Sequence, residues 1–378
     1  MTGRRRSDLD LLAGAPAYAG TLKTLRRAPR RWLVTGGAGF IGSHLTEALL
    51  ELGQTVTVLD DLSTGRASHL ETVRRAVGPA ATRLRFVRGD VRDAETLAVA
   101  ADHVDVILHH AALASVPESI AAPVATHEVN VGGFLQVLEV ARTLGARVVY
   151  AASSASYGDD DACAQREDRL GRPQSMYAAS KTADEAYAAA YHACYGLRTI
   201  GLRYVDVFGD RQDPHGDDAA AVIPAWIAAT LQGRRCRIHG DGLTTRDFCH
   251  VANVVGAVLL ASCCEDPSVL GAVLNVGTGV PTSLIDLHDA IEAAVRVRRP
   301  DDAGRPPQFG PFRPGDVRPS CADVGLARST LGYEPVVGLR EGIDATVATV
   351  LDRPVPGRPP RARSEAPSPR GRPPTERR

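Results

Sequence analysis

A turn of glycines between a predicted strand and a predicted helix constrains the fold of this chain more than any other feature. The segment TGGAGFIG places Gly36, Gly39 and Gly42 after the apolar run 32–35 and before the helical pattern 43–52. Gly36 permits a tight turn, Gly39 lets the backbone approach a pyrophosphate, and Gly42 lets the helix pack closely on the strand. The helix N-terminus then faces the negative charge. This order predicts a dinucleotide-binding fold.

The rest of the N-terminal half continues an alternation of strands and helices. Strands that alternate with helices form a parallel sheet covered on both faces. We therefore predict an α/β protein with a Rossmann-type, doubly wound parallel sheet and a smaller C-terminal α/β domain. The predicted strands are 32–35, 56–60, 84–87, 104–108, 147–151 and 199–203, and the predicted helices include 123–144, 176–195, 222–232, 251–262 and 283–297.

An acidic residue closes the second predicted strand, 18 positions after the last glycine of the turn. Asp60 can accept hydrogen bonds from an adenosine ribose and would repel a 2′-phosphate, which favours NAD over NADP. The segment from Asp61 to Gly65 continues around the adenosine, and Asp90 and Val91 follow the third strand where adenine could lie. Asp60 or Asp90 alone could be a solvated strand end, but the complete set in this order favours dinucleotide binding.

The domain boundaries follow from these patterns and from composition. We predict an N-terminal extension at 1–30, an NAD-binding Rossmann domain at 31–204 to which some later segments return, and a mainly substrate-binding domain at 205–350. The tail 351–378 is rich in Pro and Arg and poor in apolar residues, so we expect it to be disordered.

Hydroxyl groups follow the fifth predicted strand, at the edge where ligands of open parallel sheets bind. The segment YAASSASYG spans residues 150–158 and on its own could be a turn motif. Downstream, SMYAASK puts Tyr177 and Lys181 four residues apart, on one helix face. A tyrosine with a pKa of about 10 is a poor base near pH 7, but a lysine ammonium and a nicotinamide cation stabilise its phenolate. With a serine sharing the substrate hydroxyl, this set predicts hydride transfer at a carbinol.

These motifs resemble the extended short-chain dehydrogenase/reductase family over about residues 30–350. A closer resemblance, to bacterial UDP-N-acetylglucosamine/UDP-N-acetylgalactosamine 4-epimerases of surface-polysaccharide synthesis, rests on TIGLRYVDVFGDRQDP, AAVIPAWI, GDGLTTRDF and RPGDVRPS. The resemblance implies a catalytic set of Ser153, Tyr177 and Lys181. It also implies cofactor contacts from Phe40, Ile41, Ala111, Ala112, Asn130 and Val205, beside those of Tyr177 and Lys181.

The same resemblance implies how a nucleoside diphosphate is held. Arg246 and Arg313 match family positions that bind the diphosphate, for which guanidinium groups are well suited. Asp316 matches the position that takes the uridine ribose, although any one of these residues could instead form a surface ion pair. Other implied substrate contacts are Ser115, Ser153, Ser154, Tyr177, Asp206 and Val222.

Ser320 bears on which sugar is used. In the resembling epimerases a bulky tyrosine at this position restricts the pocket to plain hexoses, so a serine favours a 2-acetamido sugar. The implied reaction passes hydride from C4 to NAD and returns it to the other face of the 4-keto sugar.

Several alternatives stay open: a UDP-glucuronate 4-epimerase or decarboxylase, a nucleotide-sugar 4,6-dehydratase, and, in a different class, a non-catalytic NAD-binding regulatory protein. The stretch 153–155 carries none of the carboxylates typical of the dehydratases and decarboxylases, which favours epimerisation. Two departures from the family pattern affect substrate preference. Asp206 replaces an asparagine near the substrate phosphate and would repel it unless Arg211 or another cation compensates, and Ala155 replaces a frequent serine.

Composition limits partners and location. Seven cysteines without a Cys-x-x-Cys pair indicate reduced thiols, and we predict a cytoplasmic protein. No run approaches the roughly 20 apolar residues of a membrane span. Residues 1–31 and 353–378 each carry eight basic and two acidic residues in a neutral chain, so the middle is net −12, which argues against nucleic acid. No metal-ligand cluster is recognisable, and the resemblance implies a homodimer through helices 123–144 and 176–195.

Overall fold

The computed structural model of the chain describes residues 6–160, 162, 164–213, 222–312 and 321–352. Most of the predicted tail and the predicted substrate residues Arg313, Asp316 and Ser320 lie outside these ranges.

The described part of the chain consists of alternating strands and helices. The strands are β1 (Arg31–Thr35), β2 (Thr55–Asp60), β3 (Leu84–Arg88), β4 (Val106–His109), β5 (Arg147–Ser153), β6 (Thr199–Tyr204), β7 (Val207–Phe208), β8 (Arg237–His239), β9 (Thr245–Arg246), β10 (Cys249–His250), β11 (Val273–Val276), β12 (Thr282–Ser283) and β13 (Gln308–Gly310). The helices are α1 (Asp8–Leu12), α2 (Pro16–Arg27), α3 (Phe40–Glu51), α4 (Ala67–Val77), α5 (Ala94–Ala100), α6 (Val116–Ala121), α7 (Pro123–His127), α8 (Gly133–Leu144), α9 (Met176–Tyr195), α10 (Val222–Leu231), α11 (Val251–Cys263), α12 (Leu284–Arg298), α13 (Gly325–Leu331) and α14 (Leu339–Asp352).

Seven strands form one parallel sheet in the order β11-β6-β5-β4-β1-β2-β3. Its central strands are apolar and buried on both faces, as a sheet covered by helices on each side requires. One core cluster joins the sheet to α3, α4 and α11, and a second joins its other face to α5, α8 and α9. The predicted Rossmann-type parallel sheet is confirmed. The seventh strand, β11, was not predicted and comes from the chain beyond residue 205.

The predicted helix at 123–144 is interrupted. Between α7 and α8 the backbone widens into a π-helical turn at Glu128–Gly132, a local form common at functional sites. The predicted helix at 176–195 is observed in full as α9. Ser175 caps its N-terminus, and the Ser175 hydroxyl accepts a hydrogen bond from Ala178 N. It ends at Gly196, which takes the left-handed conformation (φ 66°) of a helix C-terminus.

The N-terminal extension forms two helices that were not predicted. Tyr18, Leu22 and Leu25 of α2 are buried in the core cluster that includes α11. A Cβ built on Gly256 of α11 would lie 2.6 Å from the Tyr18 ring, so the two helices approach closely here. The Tyr18 hydroxyl donates to the carbonyl of Glu334, near the other end of the described chain.

The segment after β6 builds a smaller layer of helices and short strand pairs. β7 pairs with β10, β9 with β12, and β8 with β13. A third core cluster packs α10, α12 and α14 together through Trp226, Ile291 and Ile343. None of the helices in the described ranges is long and apolar enough to cross a membrane.

Candidate active site

The glycine turn lies at the carboxyl end of β1, where the backbone packs too closely for side chains. Gly36 has a φ of 68°, and a Cβ on it would lie 2.7 Å from Ala111 N. A Cβ on Gly42, in the first turn of α3, would lie 2.2 Å from the Gly36 carbonyl oxygen. Gly39 caps α3 and has no hydrogen-bonding side chain of its own. The glycines therefore place no side chain over the backbone at the N-terminus of α3, so a pyrophosphate can approach it closely.

Asp60 braces this turn. Its Oδ2 accepts a hydrogen bond from Ala38 N and its Oδ1 accepts one from Leu62 N, both at 2.9 Å. Burial raises the pKa of Asp60, and these backbone hydrogen bonds oppose the rise. A Cβ on Gly65 would lie 2.6 Å from Asp60 Oδ1, so the loop folds back onto the carboxylate. Asp60 therefore stabilises the turn through its hydrogen bonds, and it also lies at the position predicted to bind the adenosine ribose.

A cleft opens along the carboxyl ends of β1, β2, β3 and β4. Eight of the predicted cofactor residues line it: Gly36, Gly39, Asp60, Asp61, Asp90, Val91, Ala111 and Ala112. Sequence reasoning did not single out four other lining residues: Leu59, His110, Leu113 and Val129. Their positions depend on how strand ends and the π-helical turn meet, which no local motif encodes.

An arginine stands beside the predicted adenine position. Arg92 forms a salt bridge with Asp90 at 2.6 Å and with Glu128 at 3.3 Å. The Arg92 hydrogen bond lowers the pKa of Asp90. Asp90 is therefore held as a carboxylate at the rim of the cleft.

Asn130 lies in the π-helical turn and is fully buried. Its Oδ1 accepts from Leu113 N at 2.8 Å, and its Nδ2 donates to Leu113 O at 3.1 Å and to Ser180 Oγ at 2.9 Å. Through these contacts Asn130 connects Leu113, which lines the cleft, with Ser180 of α9. Asn130 does not itself line the cleft.

The predicted serines sit at strand and helix ends. Ser153 is the last residue of β5, and its Oγ accepts from Ala155 N at 3.1 Å, opening the 3-10 turn Ser154–Tyr157. α9 packs against this turn, so Ser153 and the start of α9 belong to one corner of the sheet. Ser115 caps α6, accepting from Glu118 N at 3.3 Å.

Tyr177 and Lys181 lie in the first turns of α9. Tyr177 is half-buried and Lys181 is buried, with Lys181 Nζ donating to Asp184 Oδ2 at 3.1 Å. Burial lowers the pKa of Lys181, but the charges of Asp184 and Tyr177 outweigh it and raise this pKa. The tyrosine and lysine therefore interact electrostatically, as their spacing predicts.

Two histidines connect this corner with the cleft. His109 Nδ1 lies 2.8 Å from Thr35 Oγ1 and its ring stacks on Phe134. His110, which lines the cleft, places Nε2 at 2.8 Å from the hydroxyl of Tyr204. Burial and the charge of Lys181 lower the pKa of His110 to about 3. Lys181 is thus close enough to the cleft to act electrostatically on its wall.

Asp206 follows β6 in a left-handed conformation (φ 32°) and is half-buried. Burial raises its pKa to about 6, Arg246 lowers it, and Asp247 raises it further. Arg211, considered from the sequence as a compensating cation, instead pairs with Glu47 at 2.7 Å. Arg246 on β9 is therefore the cation that acts on Asp206.

The remaining predicted residues divide between the cleft region and the core. Phe40 and Ile41 are half-buried in the first turn of α3, beside the glycine turn. Val205 is fully buried, and its N–H donates to Val276 O. Val222 begins α10, directly after undescribed residues.

The residues present fit NAD. The turn offers a backbone cradle that a Cβ on Gly36 or Gly42 would fill, and the carboxylate of Asp60 stands at its end. Gly36, Gly39 and the helix N-terminus would hold the pyrophosphate, Asp60 and Asp61 the adenosine ribose, and Tyr177 and Lys181 the nicotinamide end.

The chain is similar to known proteins over most of its length. Residues 32–277 match the NAD dependent epimerase/dehydratase family. UDP-glucose 4-epimerase of Mycolicibacterium smegmatis is 42% identical over 320 residues, which cover 84% of this chain and 97% of that protein.

Solved structures are similar as well. UDP-N-acetylglucosamine 4-epimerase from Methanobrevibacter ruminantium M1, in complex with UDP-N-acetylmuramic acid, is 31% identical with a TM-score of 0.77, covering 85% of this chain and 98% of that one. UDP-glucuronic acid 4-epimerase from Bacillus cereus, in complex with UDP-glucuronic acid and NAD, is 28% identical with a TM-score of 0.75, covering 85% and 99%.

The resemblance to extended short-chain dehydrogenases/reductases is thereby confirmed, as are the predictions of an NAD-dependent epimerase and of NAD as its cofactor. From β1 to β11, the chain belongs to the NAD dependent epimerase/dehydratase family.

Proposed function

We propose that the protein is a UDP-sugar 4-epimerase that interconverts UDP-N-acetylglucosamine and UDP-N-acetylgalactosamine. The observation that carries the reaction type is the corner where α9 packs on the turn after β5, bringing Tyr177 and Lys181 to the strand end that carries Ser153. Lys181 of this corner acts electrostatically on His110, which lines the cleft at the glycine turn, although Ser153, Tyr177 and Lys181 do not line that cleft themselves.

Each side chain of this corner has a role in moving one proton. Tyr177 takes the proton of the C4 hydroxyl and later returns it. Lys181, charged and buried, stabilises the phenolate in a setting of low dielectric. Ser153 shares the substrate hydroxyl and steadies the proton in transfer. NAD, when bound, supplies the hydride acceptor and donor, so the cycle has no net redox change.

The choice of an N-acetylated sugar rests on the sequence. Ser320 and the implied UDP ligands Arg313 and Asp316 lie outside the described residues. Within them, Arg246, predicted to bind the diphosphate, acts electrostatically on Asp206. The relatives named above include enzymes for UDP-glucose, UDP-N-acetylglucosamine and UDP-glucuronic acid, so the small side chain of Ser320 is the feature that favours the 2-acetamido group.

The other candidates receive less support. No carboxylate occurs at 153–155, which disfavours a dehydratase or decarboxylase. A UDP-glucuronate epimerase would need a further cation for the C6 carboxylate, and the sequence offers no identifiable one. A regulatory protein that binds NAD without catalysis would have no use for a buried lysine beside Tyr177.

We also propose a cytoplasmic homodimer that contributes to polysaccharide biosynthesis. Large apolar side chains are exposed on α6, α7 and α9, three helices that contact one another, and exposed apolar patches mark interaction surfaces. They are Ile120, Val124, Met176, Tyr187 and Tyr195. The six described cysteines are all free, which suits a reducing compartment. Analytical ultracentrifugation tests the dimer.

A panel of UDP-sugars tests the function. Purified protein should epimerise UDP-N-acetylgalactosamine without added NAD, with the product identified by NMR. Tyr177→Phe should lower turnover by about 10²-fold or more, because it removes the acid/base group. Turnover of UDP-galactose with none of UDP-N-acetylgalactosamine would refute the N-acetyl preference. Equal activity of Tyr177→Phe and wild type would refute the mechanism.

A further inference from the structure

Asp247, between β9 and β10, is a fully buried carboxylate that follows Arg246 directly in the chain. Its Oδ1 accepts hydrogen bonds from Thr278 N at 2.9 Å and from the Thr278 hydroxyl. Its Oδ2 accepts from Gly279 N at 2.9 Å and from Ala322 N at 3.3 Å. The carboxylate therefore holds the backbone of two other segments of the chain.

These contacts close a ring of backbone that includes Arg246. Arg246 of β9 pairs antiparallel with Thr282 of β12. The segment that leads into β12 passes through Thr278 and Gly279, which are held by Asp247. The backbone of Arg246 is thus fixed twice, by the strand pair and, through the segment 278–282, by the side chain of the next residue.

A neighbouring glycine fits tightly against the carboxylate. A Cβ built on Gly277 would lie 2.6 Å from Asp247 Oδ2 and 3.2 Å from the Cβ of Ala322. The φ of Gly277 is not positive, so space rather than backbone conformation requires a glycine here. The Gly277 carbonyl accepts a hydrogen bond of 2.8 Å from the fully buried Tyr333 hydroxyl, which holds the glycine in place.

The same carboxylate lies near Asp206. Burial raises the pKa of Asp206, and the nearby charges act in opposite directions, since Arg246 lowers this pKa and Asp247 raises it. The N–H of Cys249 donates to the carbonyl of Asp206 at 3.3 Å. Asp247 therefore belongs to the same corner as Asp206 and Arg246, the two residues predicted to lie near the substrate phosphates.

A residue can affect substrate binding without touching the substrate. A guanidinium recognises phosphate oxygens through donors in a fixed plane, so its affinity depends on how precisely its backbone is held. We propose that Asp247 is a positioning residue that acts through Arg246 and sets the affinity of the enzyme for the diphosphate of its substrate. This inference rests on the proposed function.

Gly277→Ala tests this role without changing any charge. The added methyl group would displace the carboxylate from its N–H donors, so UDP should bind about tenfold more weakly in calorimetry. KM for the UDP-sugar should rise by a similar factor while kcat stays near the wild-type value, because the diphosphate is remote from the reacting C4. Gly338→Ala is the matched control, since a Cβ on Gly338 would meet nothing within 4 Å, and it should bind UDP as wild type does.

A double-mutant cycle tests whether the effect passes through Arg246. Arg246→Ala should weaken UDP binding, and Gly277→Ala added to it should weaken binding little further. Losses that add, or a wild-type UDP affinity in Gly277→Ala, would overturn the proposal. Loss of co-purified NAD from Gly277→Ala to the same extent as UDP binding would reduce Asp247 to a general structural role and overturn it as well.

Asp247→Asn tests the hydrogen bonds themselves. Asn offers one acceptor oxygen where Asp offers two, so part of the bound backbone loses its acceptor. Because this variant also removes a negative charge near Asp206, its readout is hydrogen exchange rather than UDP affinity. Without any ligand, the amides of Thr278 and Gly279 should exchange faster than in wild type, and unchanged exchange would show that Asp247 does not hold this segment.

The measurements on wild type separate this proposal from the proposed function. If wild type neither binds UDP nor turns over a UDP-sugar, the proposed function fails and the role of Asp247 fails with it. If wild type binds UDP and Gly277→Ala binds it equally well, only the role of Asp247 is refuted.

Discussion

Replacing Asp206 by asparagine should stabilise the protein by an amount that grows with pH. Asn adopts the left-handed conformation of this position (φ 32°) with little strain. Burial raises the pKa of Asp206 from 3.8 to about 6, although Arg246 opposes the rise. A carboxyl whose pKa is higher in the folded than in the unfolded protein favours folding only while protonated, so its contribution is lost as pH rises through the folded pKa.

The pKa values set the magnitude. At pH 7.5 the ionisation of Asp206 costs at most about 3 kcal/mol of folding free energy. At pH 5, below the folded pKa but above the unfolded one, the cost is about 1.5 kcal/mol. Asp206→Asn removes this cost at both pH values. The variant should therefore exceed wild type by about 1.5 kcal/mol at pH 5 and by up to about 3 kcal/mol at pH 7.5.

Urea unfolding of both proteins at the two pH values measures the difference. Asp102→Asn is the control, because Asp102 is 67% exposed and its replacement should change little at either pH. A stability difference that is the same at pH 5 and 7.5, or a variant less stable than wild type at pH 7.5, would refute the reasoning. The same variant should bind UDP-sugar more tightly, since it removes a negative charge near the predicted diphosphate position.

Two further substitutions test how the chain holds its cofactor turn and its N-terminus. Gly42→Ala places a methyl group 2.2 Å from the Gly36 carbonyl, so we expect about 1–3 kcal/mol lower stability in urea unfolding and loss of co-purified NAD. Asp8→Asn breaks the 2.5 Å contact with His44. Burial raises the pKa of Asp8, but the charge and the hydrogen bond of His44 outweigh burial and lower it well below its usual value. About 1–3 kcal/mol should therefore be lost at pH 7, and this loss should begin to decrease only below about pH 4 and vanish only below the lowered folded-state pKa.

Gly20→Ala is the control for the glycine substitution, because a Cβ on Gly20 would meet nothing within 4 Å. It should be neutral or slightly stabilising within α2. Retention of NAD and wild-type stability in Gly42→Ala would contradict the close packing of α3 on β1. A stability loss in Asp8→Asn that does not decrease at all as the pH falls well below about 4 would show that the carboxylate charge is not its cause.

The sequence predicted the sheet well where periodicity and turn chemistry coincide. The segment from β1 to the end of β2 combines an apolar run, three spaced glycines and an acidic residue at a strand end. Each of these features has a local physical cause that the sequence alone reveals. β11 was missed because Val273–Val276 is a short run far from the other strands, and only its pairing with β6 makes it part of the sheet. α2 had a readable signal, since its buried residues Tyr18, Leu22 and Leu25 follow helical spacing among basic residues.

Sequence motifs predicted which residues form the candidate site but not which residues they contact. Tyr177 and Lys181 could be identified by motif, whereas Asp184 at i+3 from the lysine is a pattern typical of a surface ion pair. Its burial depends on how α9 lies on β5 and β6, which is a long-range property. Likewise the sequence named Arg211 as a cation that could compensate Asp206, whereas in the fold Arg211 pairs with Glu47 and Arg246 acts on Asp206.

The contacts of α2 have a consequence for how the chain is made. Tyr18 bonds to Glu334, 316 residues later. At a synthesis rate of about 5–20 residues per second, about 15–60 s separate the two on the ribosome. α11 (Val251–Cys263) is made earlier in that interval, but until then Leu22 and Leu25 have no α11 to cover them. A nascent chain of this protein therefore exposes the apolar face of α2 while more than 200 further residues are being added.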